Sequence, residues 1–255
     1  MVLPIVSRAA LCVALVVLGA GDAAAQTNTQ LWGNVTLDWL KNERLTYSLD
    51  FEPKVLLTRP EGEPGWWNLD VSPSAERVWK PWLDLIGEAT VGRTRQTDDV
   101  NTFEVSPRVG VRFHLFSRNV INLGVRHEKL PRRKIVVRDL LRFEWRNLFN
   151  SGTQPDESNG RFRNRLELLM PLNRARITDD GVRYLLTDWE WFLPVGSVEE
   201  RYANRQRIRV GLGLRQSFKW RFEAVYAWTR SRASSEESFA TSDNIFNMRV
   251  KRVFD

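Results

Sequence analysis

The chain is 255 residues long, with 38 Lys and Arg against 31 Asp and Glu, a formal charge of +7, and one cysteine, Cys12. Because Cys12 lies in the N-terminal apolar segment, the remainder can hold no disulfide, thiolate metal site or cysteine nucleophile. Past residue 26 no apolar stretch approaches the ~18 residues of a membrane-spanning helix, so any crossing of a bilayer falls to strands.

The N-terminus, "MVLPIVSRAALCVALVVLGAGDAAAQ", places Arg8 before an apolar run and ends on Ala23, Ala24 and Ala25. That layout predicts a cleaved signal peptide over 1–25 and a single barrel domain over 26–255. Leu11 ahead of Cys12 does not suit lipoprotein processing.

From there, apolar and polar residues alternate with period two in stretch after stretch. Leu31, Val35, Leu37 and Trp39 oppose Trp32, Asn34, Thr36 and Asp38. Beyond "KNER", Leu45, Tyr47, Leu49 and Phe51 oppose Thr46, Ser48, Asp50 and Glu52. Trp67, Leu69 and Val71 follow, then Leu83, Leu85 and Val91 opposite Asp84 and Glu88. "FEVSPRVGVRFHLF" is the longest, with Glu104, Ser106, Arg108, Gly110, Arg112 and His114 on one face. The second half is richer in arginine. Arg138, Arg142, Glu144 and Arg146 oppose Leu141, Phe143 and Trp145; Arg161, Arg163, Arg165 and Glu167 oppose Phe162, Leu166 and Leu168. Asp188 and Glu190 oppose Trp189, Trp191 and Leu193, and Arg205, Arg207, Arg209 and Arg215 oppose Ile208, Val210, Leu212 and Leu214. The last two stretches are Trp220–Trp228, with Arg221 and Glu223, and Phe246–Phe254, with Arg249 and Lys251.

Short connections ("WKPW", "RQSFKW") take turns with long polar ones ("TRPEGEPG", "RTRQTDDVNT", "NSGTQPDESNG", "SRASSEESFATSDN"), the loop asymmetry of an outer-membrane barrel. Of the 11 Trp, Trp39, Trp79, Trp82 and Trp220 border short turns, and Trp66, Trp67, Trp145 and Trp228 lie toward long loops. Two rows of indoles at strand ends match headgroup-level girdles. In a soluble barrel the arginines would face water. In a membrane barrel they face the bore, and strand length and tryptophan placement favour the latter.

The expected fold is therefore an all-β, closed antiparallel transmembrane β-barrel of 10–12 strands. Twelve is the preferred count, because outer-membrane barrels are usually even. That count needs one strand beyond the eleven alternating stretches, with "SRNVINLGVRHEKLPRRK" the doubtful region. Strict alternation places Asp139 among outward apolar residues; a β-bulge near "VVRDLL" would turn it inward. The C-terminal stretch carries its aromatic, Phe254, one residue before Asp255, which departs from the terminal aromatic that barrel-insertion machinery reads.

"WGNVTLDWLKNERLTYSLDFEPKVLL", "VGRTRQTDD", "EVSPRVGVRFHLF", "RFEWRNL", "DWEWF" and "RQRIRVGLGLRQSFKWRFEAVYAW" together resemble the family catalogued as domain of unknown function 2490. The resemblance spans nearly all of 26–255. It implies a bacterial outer-membrane barrel and carries no activity, substrate or catalytic residue.

The candidate lumen-lining residues are Arg108, Arg112, Arg138, Arg142, Glu144, Arg161, Arg163, Arg165, Glu167, Asp188, Glu190, Arg207, Arg209 and Arg215. Arginine is always charged and can hold a carboxylate through a planar fork. The set reads either as a salt-bridge network filling the barrel or as a ladder lining a narrow anion-favouring pore. Gly110, Gly211 and Gly213 face inward and are expected to leave room. The expected function is a narrow pore or small-solute passage. The alternatives are a plugged structural or lipid- and lipopolysaccharide-binding barrel, then a hydrolase acting at the rim.

No catalytic grouping emerges: His114 and His127 are the only histidines, and Ser106 is too far along its strand to partner His114. Paired aspartates in "QTDD" and "ITDDG" read as solvated turns rather than calcium ligands. The expected partners are outer-membrane lipids and lipopolysaccharide, the insertion machinery and a small anionic solute, with no nucleic acid, metal or cofactor.

Overall fold

The computed structural model describes residues 27–59, 62, 64–96, 101–116, 135–151, 155–195, 205–232 and 239–255. These form eleven strands and no helix: β1 (Asn28–Asn42), β2 (Leu45–Thr58), β3 (Trp66–Lys80), β4 (Leu83–Gln96), β5 (Asn101–Phe116), β6 (Val136–Asn150), β7 (Glu157–Pro171), β8 (Val182–Val195), β9 (Arg205–Arg215), β10 (Trp220–Ser231) and β11 (Ala240–Phe254). Each pairs antiparallel with its chain neighbour, and β1 closes on β11.

Among the described residues the wall thus closes with eleven strands rather than twelve. An odd count forces one parallel pair, and β1 and β11 supply it, in register from Asn28↔Asp243 to Trp39↔Phe254. β5 and β6 pair directly, so no strand from the doubtful region stands between them; residues 117–134, with His127, lie outside the described residues, as does the expected signal segment. Closure leaves no edge, so ladder bonds satisfy the backbone all round the wall.

Alternation converts directly into two faces, because successive side chains in a strand point to opposite sides. Leu31, Val35, Trp67, Leu85, Val109, Leu141, Phe162, Trp189, Ile208, Leu212, Phe246 and Met248 all face outward and exposed. Their inward neighbours are buried or half-buried: on the outer face Val109 is 62% exposed, while Glu144 on the inner face is 0%. Greasy outside and charged inside reverses the usual globular arrangement.

Two expectations about the wall are corrected, and the place of Asp139, left open by the alternation, is decided. The ladders of β6 run unshifted through Asp139 on both sides; the irregularity lies at the end of β5, between His114 and Phe116. Asp139 therefore stays on the outer face, where Asn164 Nδ2 donates to its Oδ1 at 2.7 Å. Loop lengths do not alternate strictly, since 117–135 and 172–181 join the same end as the short turns 43–44, 81–82 and 216–219. At the opposite end, segments read as loop are strand: Arg93 to Gln96, Glu157 to Gly160 and Ala240 to Asn244. There the ladder continues beyond the apolar band, so both faces are polar and the alternation fades.

The aromatic rows hold in part. Trp39, Trp79, Trp82 and Trp220 lie outward near the short-turn end, with Trp39 stacked on Phe254 at 5.5 Å and Trp82 on Phe113 at 6.3 Å. Trp67 and Trp145 lie outward near the other end, but Trp66 turns into the barrel.

Candidate functional site in the barrel interior

The inward side chains surround a cavity of about 950 Å³. Eleven strands stand between a small barrel packed solid by side chains and the wide porins that hold water, and here long arginines fill much of the difference. Of the expected lumen residues, Arg108, Arg112, Arg138, Arg142, Arg161, Arg163, Arg165, Glu167, Arg207 and Arg209 line this cavity. Glu144, Asp188 and Glu190 do not; they sink into the wall behind the arginines. Arg215 sits apart, at the short-turn mouth.

Glu144 on β6 is the hub of the wall. Arg161 Nε donates to its Oε2 at 2.5 Å and Arg163 Nη1 to its Oε1 at 2.6 Å, while Arg142 Nε and Arg108 Nε lie 3.2 and 3.6 Å away. Arg163 reaches on with Nη2 to Glu190 Oε1 at 2.6 Å, and Glu190 also faces Arg207 at 3.6 Å and Arg209 at 3.5 Å. Arg209 Nε donates to Asp188 at 2.7 Å. Across β4, Glu88 accepts from Arg108 at 2.6 Å and Arg142 at 2.8 Å. Nearer the ends, Arg146 grips Glu104, Arg138 pairs with Glu167, and Arg112 donates to Glu76 at 2.5 Å. The salt-bridge network is therefore real and nearly continuous over β4 to β9.

The cavity surface is nonetheless not neutral. Fifteen Lys and Arg line it against nine Asp and Glu, in part because three of the carboxylates that hold the arginines, Glu144, Asp188 and Glu190, are themselves covered. The acidic side chains Asp50, Glu52, Asp70, Glu76 and Glu88 come from β2 to β4; the arginines come mostly from β5 to β9. Opposite charges thus face one another across the bore. Arg165 makes no ion pair with a described residue, and its Nε has no hydrogen-bond partner.

Sequence reasoning missed four contributors. Lys54 bridges Glu52 at 2.8 Å and Asp70 at 2.5 Å; continued alternation of Pro53, Val55 and Leu57 past Glu52 was the available signal. Trp32 and Phe192 point inward and sandwich Arg207, with its guanidinium 5.0 and 5.3 Å from the ring centres. An apolar cluster, Leu169, Ile177, Val182, Tyr184, Leu186 and Val225, fills one side of the short-turn end, with Ile177 contributed by the connection 172–181. Apolar residues on the inward parity could not be told from polar-face exceptions until the strands were assembled.

The inward glycines do not leave room. Tyr184 lies over Gly213, and its hydroxyl donates to Glu223 at 2.5 Å. Val225 closes over Gly211, with its Cγ2 2.8 Å from where a Cβ would stand. Gly110 is met by Leu141 O at 3.0 Å. Each glycine admits a neighbour, so the cavity arises elsewhere.

His114 Nε2 lies 2.6 Å from Asp84 Oδ2, while Ser106 Oγ donates to Glu104 at 2.5 Å, so histidine and serine serve different partners. In "ITDDG", Asp179 accepts from the Arg176 N–H at 3.1 Å, the role of a turn residue; Asp98 and Asp99 lie outside the described residues. No protein-family model matches this chain, and no curated protein matches it.

Proposed function

We propose that this chain is a signal-targeted barrel of the bacterial outer membrane whose interior passes or holds small anions. The observation that carries the anion reading is the basic excess at the cavity surface, fifteen cationic side chains against nine anionic ones, with Glu144, Glu190 and Asp188 sunk behind their arginines. Basic rings favour anions in a confined polar bore, where few water molecules screen them. The membrane setting rests on the outward apolar face, the aromatic rows near both ends and the leader-like N-terminus; the resemblance to domain of unknown function 2490 points the same way. Lipopolysaccharide phosphates are the natural partners of the outward Arg93 and Arg95 at the long-loop rim.

A second reading, a plugged structural barrel, is favoured by one feature, the apolar cluster around Tyr184 and Ile177 at the short-turn end. Conductance across planar bilayers separates the two. A passage gives single-channel steps with a reversal potential favouring chloride, and Arg165→Ala moves that potential toward the cation side. Absence of steps, or a selectivity indifferent to Arg165 and Arg209, supports the plug.

A further inference from the structure

At the short-turn mouth the register produces an arrangement that strand pairing ordinarily avoids. Arg215 on β9 stands directly opposite Arg221 on β10, and Arg221 directly opposite Lys251 on β11. Three cations occupy one row on the inward face, although like charges placed opposite one another destabilise a sheet. Lys251 pairs with Asp38 at 2.6 Å. Neither Arg215 nor Arg221 forms an ion pair with a described residue, and Arg215 Nε has no hydrogen-bond partner. On the adjoining connection Asp179 is engaged with the Arg176 N–H, and Asp180 beside it acts on Arg215 from beyond ion-pair distance. The row borders a separate hollow of about 150 Å³, completed by Ser217, Phe218, Leu40, Val253 and Asp38, whose carboxylate is held by Lys251.

We propose that this hollow is a binding site for one phosphate-type oxyanion, with Arg215 and Arg221 as its principal ligands and Lys251 and Ser217 completing the donor set. The volume is well below that of an organic-ligand pocket, roughly 300–1,000 Å³, and suits a single polyatomic anion. Guanidinium forks match the paired oxygens of phosphate, and a bound dianion turns mutual repulsion of the row into shared attraction. Arg221 and Lys251 also border the main cavity, so the site stands at its exit toward the short-turn end. It goes beyond the passage reading and does not depend on conduction. The phosphate comes either from solution or from a lipid headgroup at the membrane surface.

The test uses the full chain in a detergent with an uncharged headgroup. Inorganic phosphate is titrated calorimetrically in one arm, and binding of phosphatidylglycerol is read by native mass spectrometry in the other. Wild-type protein binds in at least one arm, which identifies the source. Arg215→Gln/Arg221→Gln weakens that binding at least tenfold, whereas Arg165→Gln, in the main cavity, changes it less than twofold. Without phosphate the double variant melts at or above the wild-type temperature, because the row has lost its repulsion; phosphate raises the melting temperature of the wild type alone. Absence of binding in both arms, or binding that survives the double variant and disappears in Arg165→Gln, overturns the site. Failure of conductance in bilayers bears on the passage only.

Discussion

Arg163 Nη1 donates to Glu144 Oε1 at 2.6 Å across the β6–β7 ladder, and that contact anchors a carboxylate around which four guanidinium groups converge. Glu144 is fully buried, so its charge is compensated by those groups alone. Removing one partner from a buried ionic cluster leaves the others uncompensated, at a cost of about 3–5 kcal/mol. Glu144→Gln is therefore expected to lower the urea midpoint of the barrel, read by loss of the compact, heat-modifiable band on gels. An unchanged midpoint would mean that the arginines do not depend on this hub.

Asp139 and Asn164 present the opposite case. They form a polar pair on the outer face, flanked by Leu141, Leu166 and Trp191. If that face meets acyl chains, Asp139→Leu with Asn164→Leu removes a group that hydrocarbon disfavours, and the barrel gains about 1 kcal/mol in vesicles. Comparison of unfolding in vesicles and in urea-soluble form checks the sign. A loss of stability in lipid counts against the membrane assignment of this face.

Tyr184 depends on Gly213 for its place. Any β-carbon at 213 would collide with the ring, so Gly213→Ala forces the tyrosine from its bond to Glu223 and costs about 1–3 kcal/mol. Tyr184→Ala in the same background is expected to recover part of the loss, because the clash then has no second party. Additive losses in the double variant sink this account.

The outward tryptophans supply a positional test. Trp39, Trp79, Trp82 and Trp220 sit near one end of the wall, where an indole at headgroup level is expected. Nitroxide lipids labelled near the headgroup should quench their fluorescence more than lipids labelled at the chain terminus. Equal quenching by a water-soluble agent and by neither lipid indicates an aqueous exterior.

Much of the wall was legible beforehand. Arg207 and Arg209 point inward and Ile208 and Leu212 outward because side-chain direction along a strand is a local, period-two property. No knowledge of neighbours is needed. The same rule keeps Asp139 outside, with no bulge in β6 to turn it inward. Alternation was obscured at the long-loop end, at Arg93–Gln96, Glu157–Gly160 and Ala240–Asn244, where both faces are polar, and at the short-turn end, where Leu169, Val182, Tyr184, Leu186 and Val225 point inward.

The sequence by itself therefore determined which residues share a face, and hence the inversion of greasy and charged surfaces. Tertiary structure alone decided the closure of eleven strands through a parallel β1–β11 seam, the burial of Glu144 and Glu190 behind their arginines, and the filling of glycine spaces by Tyr184 and Val225. It also decided the row of Arg215, Arg221 and Lys251. These depend on register and curvature between strands far apart in the chain, as when Arg142 reaches Glu88. Pairing of that kind is settled by the geometry of the closed wall, which no single strand contains.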